Sequence, residues 1–207
     1  MTVTEKPIYE ILKRAMDIIC SGLALFLLSP IMLAIAFAVR SDGGPAFYSQ
    51  VRVGKNGKTF RIYKFRSMCV NADSPEMLAA LAALNEMDGP AFKIKDDPRI
   101  TKVGRFIRRT SLDELPQLIN IFLGDMTIVG PRPPLESEVA QYTDHQRNRL
   151  LVKQGLTCYW QCSGRNNINF DEWVELDLKY IRERSLWTDI KIILKTIPAV
   201  LSGDGAE

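Results

Sequence analysis

The segment Arg108-Arg109-Thr110-Ser111-Leu112-Asp113-Glu114-Leu115-Pro116 sets two adjacent carboxylates just behind two guanidinium groups. In a first helical turn Asp113 and Glu114 would point about 100° apart, so they could share a magnesium ion only from a somewhat open face. A carboxylate so placed can also attack phosphorus as a nucleophile. Arg108 and Arg109 lie one turn away, and guanidinium groups take phosphate oxygens through forked hydrogen bonds. Two further arginines stand on turn-rich segments: Arg132 in Gly130-Pro131-Arg132-Pro133-Pro134, and Arg165 in Gly164-Arg165-Asn166-Asn167. Acids, a metal and separated arginines together suit diphosphate chemistry. A plainer reading uses the same residues. Ser111 followed three residues on by Glu114 is a capping-box pattern, and acidic side chains in a first helical turn are favoured by the helix dipole. Neither GxxxxGK[ST] nor GxGxxG occurs, which argues against a P-loop or dinucleotide site.

The wider composition narrows the chemistry. The chain has 207 residues, with 27 basic and 24 acidic side chains and a formal net charge of +3. Between Val51 and Arg109, 13 Lys and Arg outnumber 6 Asp and Glu, whereas from Thr110 onward 10 face 14. The basic middle fits an anionic partner. A single histidine, His145, excludes a His-rich metal site. Cys20, Cys69, Cys158 and Cys162 form neither a disulfide framework nor a zinc pattern, which favours a reducing compartment. With 46% hydrophobic and 25% charged residues, the chain is neither a disordered tail nor a polytopic membrane protein.

These residues must be positioned by a mostly helical α+β fold. Ala46 to Phe65 reads as a β-hairpin turning at Gly54-Lys55-Asn56-Gly57, since Asn-Gly between apolar-aromatic runs is a strong turn signal. Ser74 caps, and Pro75 opens, an Ala/Leu-rich helix ending near Gly89-Pro90. Helices are predicted over Pro98–Arg109, Leu112–Phe122 with a stop at Gly124, and Asp144–Val152. Asp171–Glu183 and Leu186–Leu201 are amphipathic. The second carries Trp187 with Lys191 and Lys195, which suits a membrane interface as well as an ordinary surface helix. Two strands among many helices are too few for a doubly wound sheet.

From Ile18 to Val39 no residue is charged, and 22 residues of helix reach about 33 Å, enough for a bilayer's hydrocarbon. Ser29-Pro30 interrupts this run. Pro30 cannot bond to the Phe26 carbonyl, and Ser29 can bond back and favour a bend. The residues alone leave open a spanning helix, a re-entrant hairpin with both ends on one face, and a buried core helix. Both flanks are basic, so loop charge does not choose between them.

Lys64-Phe65-Arg66-Ser67-Met68, Arg108 through Pro116, Gly124-Asp125-Met126 and Gly130-Pro131-Arg132-Pro133 resemble the bacterial sugar transferases of the small monotopic phosphoglycosyl transferase type. The resemblance runs from Lys13 to the C-terminus. It implies transfer of a sugar-1-phosphate from a nucleotide diphosphate sugar, usually a UDP-sugar, to polyprenyl phosphate. Products are a polyprenyl-diphosphate sugar and a nucleoside monophosphate, the first membrane step of capsule, exopolysaccharide, O-antigen or glycoprotein glycan assembly. It further implies that Asp113 is a covalent nucleophile, that Glu114 is its acidic partner and that the two hold Mg2+. Arg108, Arg132 and Arg165 match basic positions near the phosphates, and Lys64 matches another.

The same resemblance implies a re-entrant membrane helix hairpin broken at Ser29-Pro30, with residues 1–42 as the anchoring segment. Residues 43–207 would be the catalytic domain, with interfacial helices, on the cytoplasmic face of the bacterial inner membrane. The implied partners are nucleotide sugar, polyprenyl phosphate and membrane lipid, with no nucleic acid; a homodimer stays open. Larger relatives carry extra N-terminal membrane helices, which this chain is expected to lack. Gln154-Gly155-Leu156-Thr157-Cys158-Tyr159-Trp160-Gln161 departs from the Pro-Gly-Ile-Thr-Gly-Trp of one branch and bears on sugar choice. The alternatives are a catalytically silent membrane-bound scaffold of a glycan-assembly complex and a soluble phosphate-binding module.

Overall fold

Helix α1 (Pro7–Val39) is the longest element, and Pro7 suits its first turn because that position needs no amide hydrogen. In this computed structural model, residues 4–81, 94, 97–162 and 168–202 are described. Helix α1 continues through Ser29-Pro30. The Phe26 carbonyl that Pro30 cannot bond accepts instead from the Ser29 hydroxyl at 2.8 Å. That substitution explains how a proline is carried inside the helix, where it ordinarily costs about 3 kcal/mol. The structure therefore carries α1 as one helix through Ser29-Pro30 and does not show the two arms of the expected re-entrant hairpin.

Both ends of α1 pack on the same body. Near its start Lys13 Nζ lies 2.7 Å from Asp189 Oδ2, and the Ile128 amide donates to Asp17 Oδ1 at 2.9 Å. Arg14 donates to the carbonyls of Ile121 and Phe122. Mid-helix, Ala24, Leu25 and Leu28 pack against Leu118, Ile121 and Met126. Near its end Ile35 and Val39 join Phe65 and Ile107. The opposite face is bare. Ile19, Leu23, Phe26, Leu27, Leu33 and Phe37 are exposed, and only 11% of the most apolar window of α1 is buried.

Strands β1 (Phe47–Val53) and β2 (Thr59–Phe65) form the predicted antiparallel hairpin, pairing Phe47 with Phe65 and Tyr48 with Lys64. Asn56 (φ 56°) and Gly57 (φ 80°) take the left-handed backbone that the Asn-Gly signal requires. Helix α2 (Pro75–Leu81) opens with the Met77 amide on Ser74 Oγ at 3.3 Å; its predicted end near Gly89-Pro90 lies outside the described residues. Helix α3 (Lys102–Arg109) begins four residues later than predicted. Asp97 and Arg99 are tied in a buried ion pair, and Thr101 is the cap, accepting from the Gly104 amide at 2.9 Å. Gly104 has to be glycine, because an added Cβ would sit 1.8 Å from the Ser67 carbonyl oxygen.

The helix predicted over Leu112–Phe122 is split. Leu112–Glu114 form a single 3-10 turn, and helix α4 (Gln117–Leu123) begins after Pro116, which has no amide hydrogen to continue the first turn. Gly124 (φ 98°) ends α4 as expected. Strands β3 (Thr127–Val129) and β4 (Gly155–Thr157) make a second, parallel two-stranded sheet absent from the sequence reading. Between them lie α5 (Glu136–Ala140) and α6 (Asp144–Arg147), the latter running into a 3-10 turn over Asn148–Leu151. After the short α7 (Tyr159–Cys162), helices α8 (Phe170–Glu183) and α9 (Leu186–Ser202) match their predicted spans closely. The largest core cluster includes Trp173, Val174, Leu178 and Ile181 of α8, with Val129 of β3 and Ile192 of α9. Helix α9 leaves Trp187, Ile190, Leu194 and Ile197 exposed, with Lys191 Nζ 5.1 Å from the Trp187 ring centre. All four cysteines are free.

Candidate active site

Asp113 and Glu114 occupy the 3-10 turn between α3 and α4. The capping-box reading does not hold. Ser111 takes a left-handed backbone (φ 54°) and caps nothing with its side chain. The turn instead rests on apolar contacts. Leu112 and Leu115, on either side of the carboxylates, pack on the cluster of Ile35, Val39, Phe65 and Ile107. The C-terminal half of the apolar helix α1 therefore lies directly behind this turn.

Asp113 is only 8% exposed. Burial pushes its carboxyl up to about 6, against the opposing charge of Lys64; Glu114 adds to the rise and Arg108 counters it. Lys64 reaches the turn from β2, its Nζ 2.7 Å from Glu114 Oε1. Both partners are partly exposed, and such pairs contribute about 1 kcal/mol or less, so Lys64 can leave Glu114 for another anion at little cost. The height of Lys64 on the turn is fixed by the fully buried Asn120 of α4. Its Oδ1 accepts from the Tyr63 amide at 3.0 Å and its Nδ2 donates to the Arg61 carbonyl at 2.7 Å. The carboxamide stands where a neighbouring strand would, and locks α4 to the edge of β2.

Arg132 follows β3 on a proline-stiffened segment pinned from both sides. The Gly155 amide bonds to the Pro131 carbonyl and the Val53 amide to that of Pro134. The Arg132 guanidinium lies 5.5 Å from the Trp173 ring centre and 3.8 Å from Glu138 Oε1, with about a third of the side chain exposed. Arg108, in the last turn of α3, is half-buried and close enough to Asp113 to lower its carboxyl pKa. Arg165 lies outside the described residues. The fold thus gathers Lys64, Arg108, Asp113 and Glu114, with Arg132 on a loop tied to the end of β1, the other strand of the hairpin.

Sequence reasoning missed Arg52, on β1. This arginine is buried, donates to the Pro133 carbonyl, and feels the charges of Arg132 and Glu114. A lone Arg beside a hairpin turn carries no sequence signal of burial.

Among the described residues no three His, Cys, Asp or Glu side chains gather closely enough to hold a metal by themselves. Magnesium rarely uses such a cage; it binds one or two carboxylates together with substrate phosphates. Asp113 beside Glu114, each charge disfavouring the other, fits that partial donor set.

The family model for bacterial sugar transferases matches residues 8–203, so the chain belongs to that family. It is 51% identical over 198 residues to the galactosyl transferase CpsE of Streptococcus agalactiae, covering 95% of this chain and 44% of the relative. It is 49% identical over 199 residues to the undecaprenyl-phosphate galactose phosphotransferase of Salmonella typhimurium, covering 94% and 41%. The exopolysaccharide production protein ExoY of Sinorhizobium fredii is 44% identical over 204 residues, covering 97% and 90%. The chain thus spans less than half the length of the first two relatives and most of the third.

Proposed function

We propose that this bacterial sugar transferase moves a sugar-1-phosphate from a UDP-sugar to undecaprenyl phosphate at the cytoplasmic face of the bacterial inner membrane. The observation that carries the reading is the buried Asp113 carboxyl, held near 6 beside a cation pair and on top of an apolar helix. An Asp113 oxygen attacks the phosphorus that bears the sugar. The bond from that phosphorus to the bridging oxygen breaks, and the nucleoside monophosphate leaves with the electron pair. An oxygen of undecaprenyl phosphate then attacks the same phosphorus. The bond to Asp113 breaks, which restores the carboxylate and gives undecaprenyl-diphosphate sugar. The acceptor arrives already ionised, so the second step needs no general base.

Each cation has a place in this scheme. Lys64 is loosely held by Glu114 and can turn toward the phosphate that develops charge. Arg108 stabilises the ionised form of Asp113. Arg132, fixed by Trp173 and Glu138, offers a forked contact to the leaving phosphate, and Arg165 is assigned to the same diphosphate. Asp113 and Glu114 would hold Mg2+, which when bound offsets the negative charge of the diphosphate. A silent scaffold would have no use for an acid kept buried at the expense of stability.

The packing of α1 supports a one-sided topology. Both of its ends contact one body, which suits both lying on the same side of a membrane, with the bare face turned to lipid. A bend at Ser29-Pro30, where the helix lacks the Pro30 amide bond, would allow one-sided, re-entrant insertion of residues 1–42, with residues 43–207 as the catalytic part. The exposed Trp187, Ile190, Leu194 and Ile197 of α9 supply a second interfacial face.

The test is incubation of detergent-solubilised protein with Mg2+ and UDP-galactose, UDP-glucose or their N-acetyl forms. Galactose is the sugar named for the Streptococcus and Salmonella relatives. Without acceptor, about one equivalent of UMP should appear per active site, and mass spectrometry should place a phosphosugar on Asp113. Turnover without burst or adduct, with kinetics that require both substrates bound together, would show direct transfer instead.

A further inference from the structure

Five arginines among the described residues are buried: Arg52, Arg66, Arg99, Arg149 and Arg184. Four of them have a carboxylate within 4 Å, namely Asp42, Asp97, Asp177 and Glu10 respectively. Arg52 has none among the described residues. Its Nη2 donates to Gln50 Oε1 at 2.8 Å and its Nη1 to the Pro133 carbonyl at 3.3 Å, both neutral acceptors. Its Nε is buried with no hydrogen-bond partner. Burial, and after it the like charge of Arg132, bring its pKa down to about 10.

A cation in this state raises the free energy of the folded protein, because an unpaired buried charge loses hydration without recovering it. The sequence places it there nonetheless, bonded to the Pro133 carbonyl of the segment that carries Arg132. Glu138 and Glu114 are near enough to temper the charge but neither forms an ion pair with it. Arg52, held by neutral acceptors, and Arg132, next in sequence to the Pro133 whose carbonyl Arg52 bonds, place two guanidinium groups where an anion would be favoured. The anion that the neighbouring chemistry supplies is a diphosphate.

Resting on the function proposed above, we propose that Arg52 is a further phosphate-binding residue, which with Arg132 takes the diphosphate of the nucleotide-sugar donor. The paired cations of β1 and the Pro133 segment hold the donor, and Asp113 reacts with it. The apo protein bears the charge; the bound donor relieves it.

The experiment is thermal unfolding of the full detergent-solubilised chain, alone and with Mg2+ plus a UDP-sugar, for wild type, Arg52→Gln and Arg52→Lys. Arg52→Gln keeps an amide that can bond to the Pro133 carbonyl and removes the charge. It should unfold at the same or a higher temperature than wild type without ligand, lose most of the donor-induced shift, and raise the donor KM about tenfold or more, with the acceptor KM unchanged. Arg52→Lys should lie between the two. An Arg52→Gln chain that is less stable or does not fold would make the guanidinium a structural pin and overturn the proposal. So would an undiminished donor shift, or an unchanged donor KM in either variant. If wild type itself gains no stability from any donor, the function proposed above fails and not merely the role of Arg52.

Discussion

Replacing Asp113 with Asn should stabilise the ligand-free protein while abolishing turnover. The folded carboxyl sits at about 6, against a usual 3.8. A raised carboxyl pKa means that the folded state binds the extra proton, so this group's contribution falls as pH rises from about 4 to about 6 and is level above that. At neutral pH the buried charge costs about 3 kcal/mol, from roughly 1.4 kcal/mol for each pH unit of the shift. Near pH 5 that cost is about half as large, and below about pH 4 it vanishes. Asn removes it and leaves an amide whose own imperfect burial costs about 1 kcal/mol at any pH. The net gain near pH 7.5 is then about 2 kcal/mol, shrinking as pH falls. Urea unfolding in detergent, followed by Trp fluorescence at pH 5 and pH 7.5 on both proteins, measures it. Added Mg2+ should narrow the gap, because it supports the charged form only in wild type. A variant less stable at pH 7.5, or a stability difference that ignores pH, would refute the claim that burial is what raises this carboxyl.

Arg132→Lys keeps charge but loses the fork and the stacking on Trp173, so kcat/KM should fall by about 2–4 kcal/mol of transition-state stabilisation; unchanged kinetics would remove Arg132 from the site. Asn120→Ala leaves the Tyr63 amide and Arg61 carbonyl without their partner and should cost about 2–4 kcal/mol in chemical unfolding, with the donor KM raised as Lys64 loses its register. A stable variant with normal KM would show that the strand edge needs no such support. Pro30→Ala gives the Phe26 carbonyl back its amide donor and should favour a straighter, spanning α1. Cysteine labelling from each side of the membrane reads this out, and an N-terminus accessible only from the cytoplasmic side in both proteins would count against the break as the topological determinant.

The hairpin was readable because Asn56-Gly57 asks for positive φ whatever surrounds it. The split of α4 was present in the sequence at Pro116, yet the apolar period ran through it and suggested one helix. Ser111 and Glu114 have the letters of a capping box, but the backbone at Ser111 turns left-handed, a choice made by the packing of Leu112 and Leu115. Strands β3 and β4 left no periodic trace. Each has three residues, and their pairing joins positions 28 apart, Thr127 with Gly155. Arg52 was illegible for a related reason: burial of a charge is a property of the segments that fold over it. Asp113 and Glu114 stood out by residue type beside Arg108 and Arg109, and Lys64 through resemblance, whereas the Lys64–Glu114 pair and the depth of Asp113 came only from the structure.

The clasp between Lys13 and Asp189 has a temporal side. The two residues are 176 positions apart, and Tyr180 joins them by donating to Asp189 Oδ1 at 2.8 Å. At about 5–20 residues per second, Lys13 is made roughly 9–35 s before its counter-charge exists. During that interval Lys13 is without the carboxylate that pairs it in the folded protein, and Asp17 waits for the Ile128 amide. Ile35 and Val39 likewise wait for Phe65 and Ile107. The clasp is therefore among the last contacts the chain can form. A chain arrested before Asp189 would lack the counter-charge of Lys13 and could not seat the start of α1 on the rest of the fold.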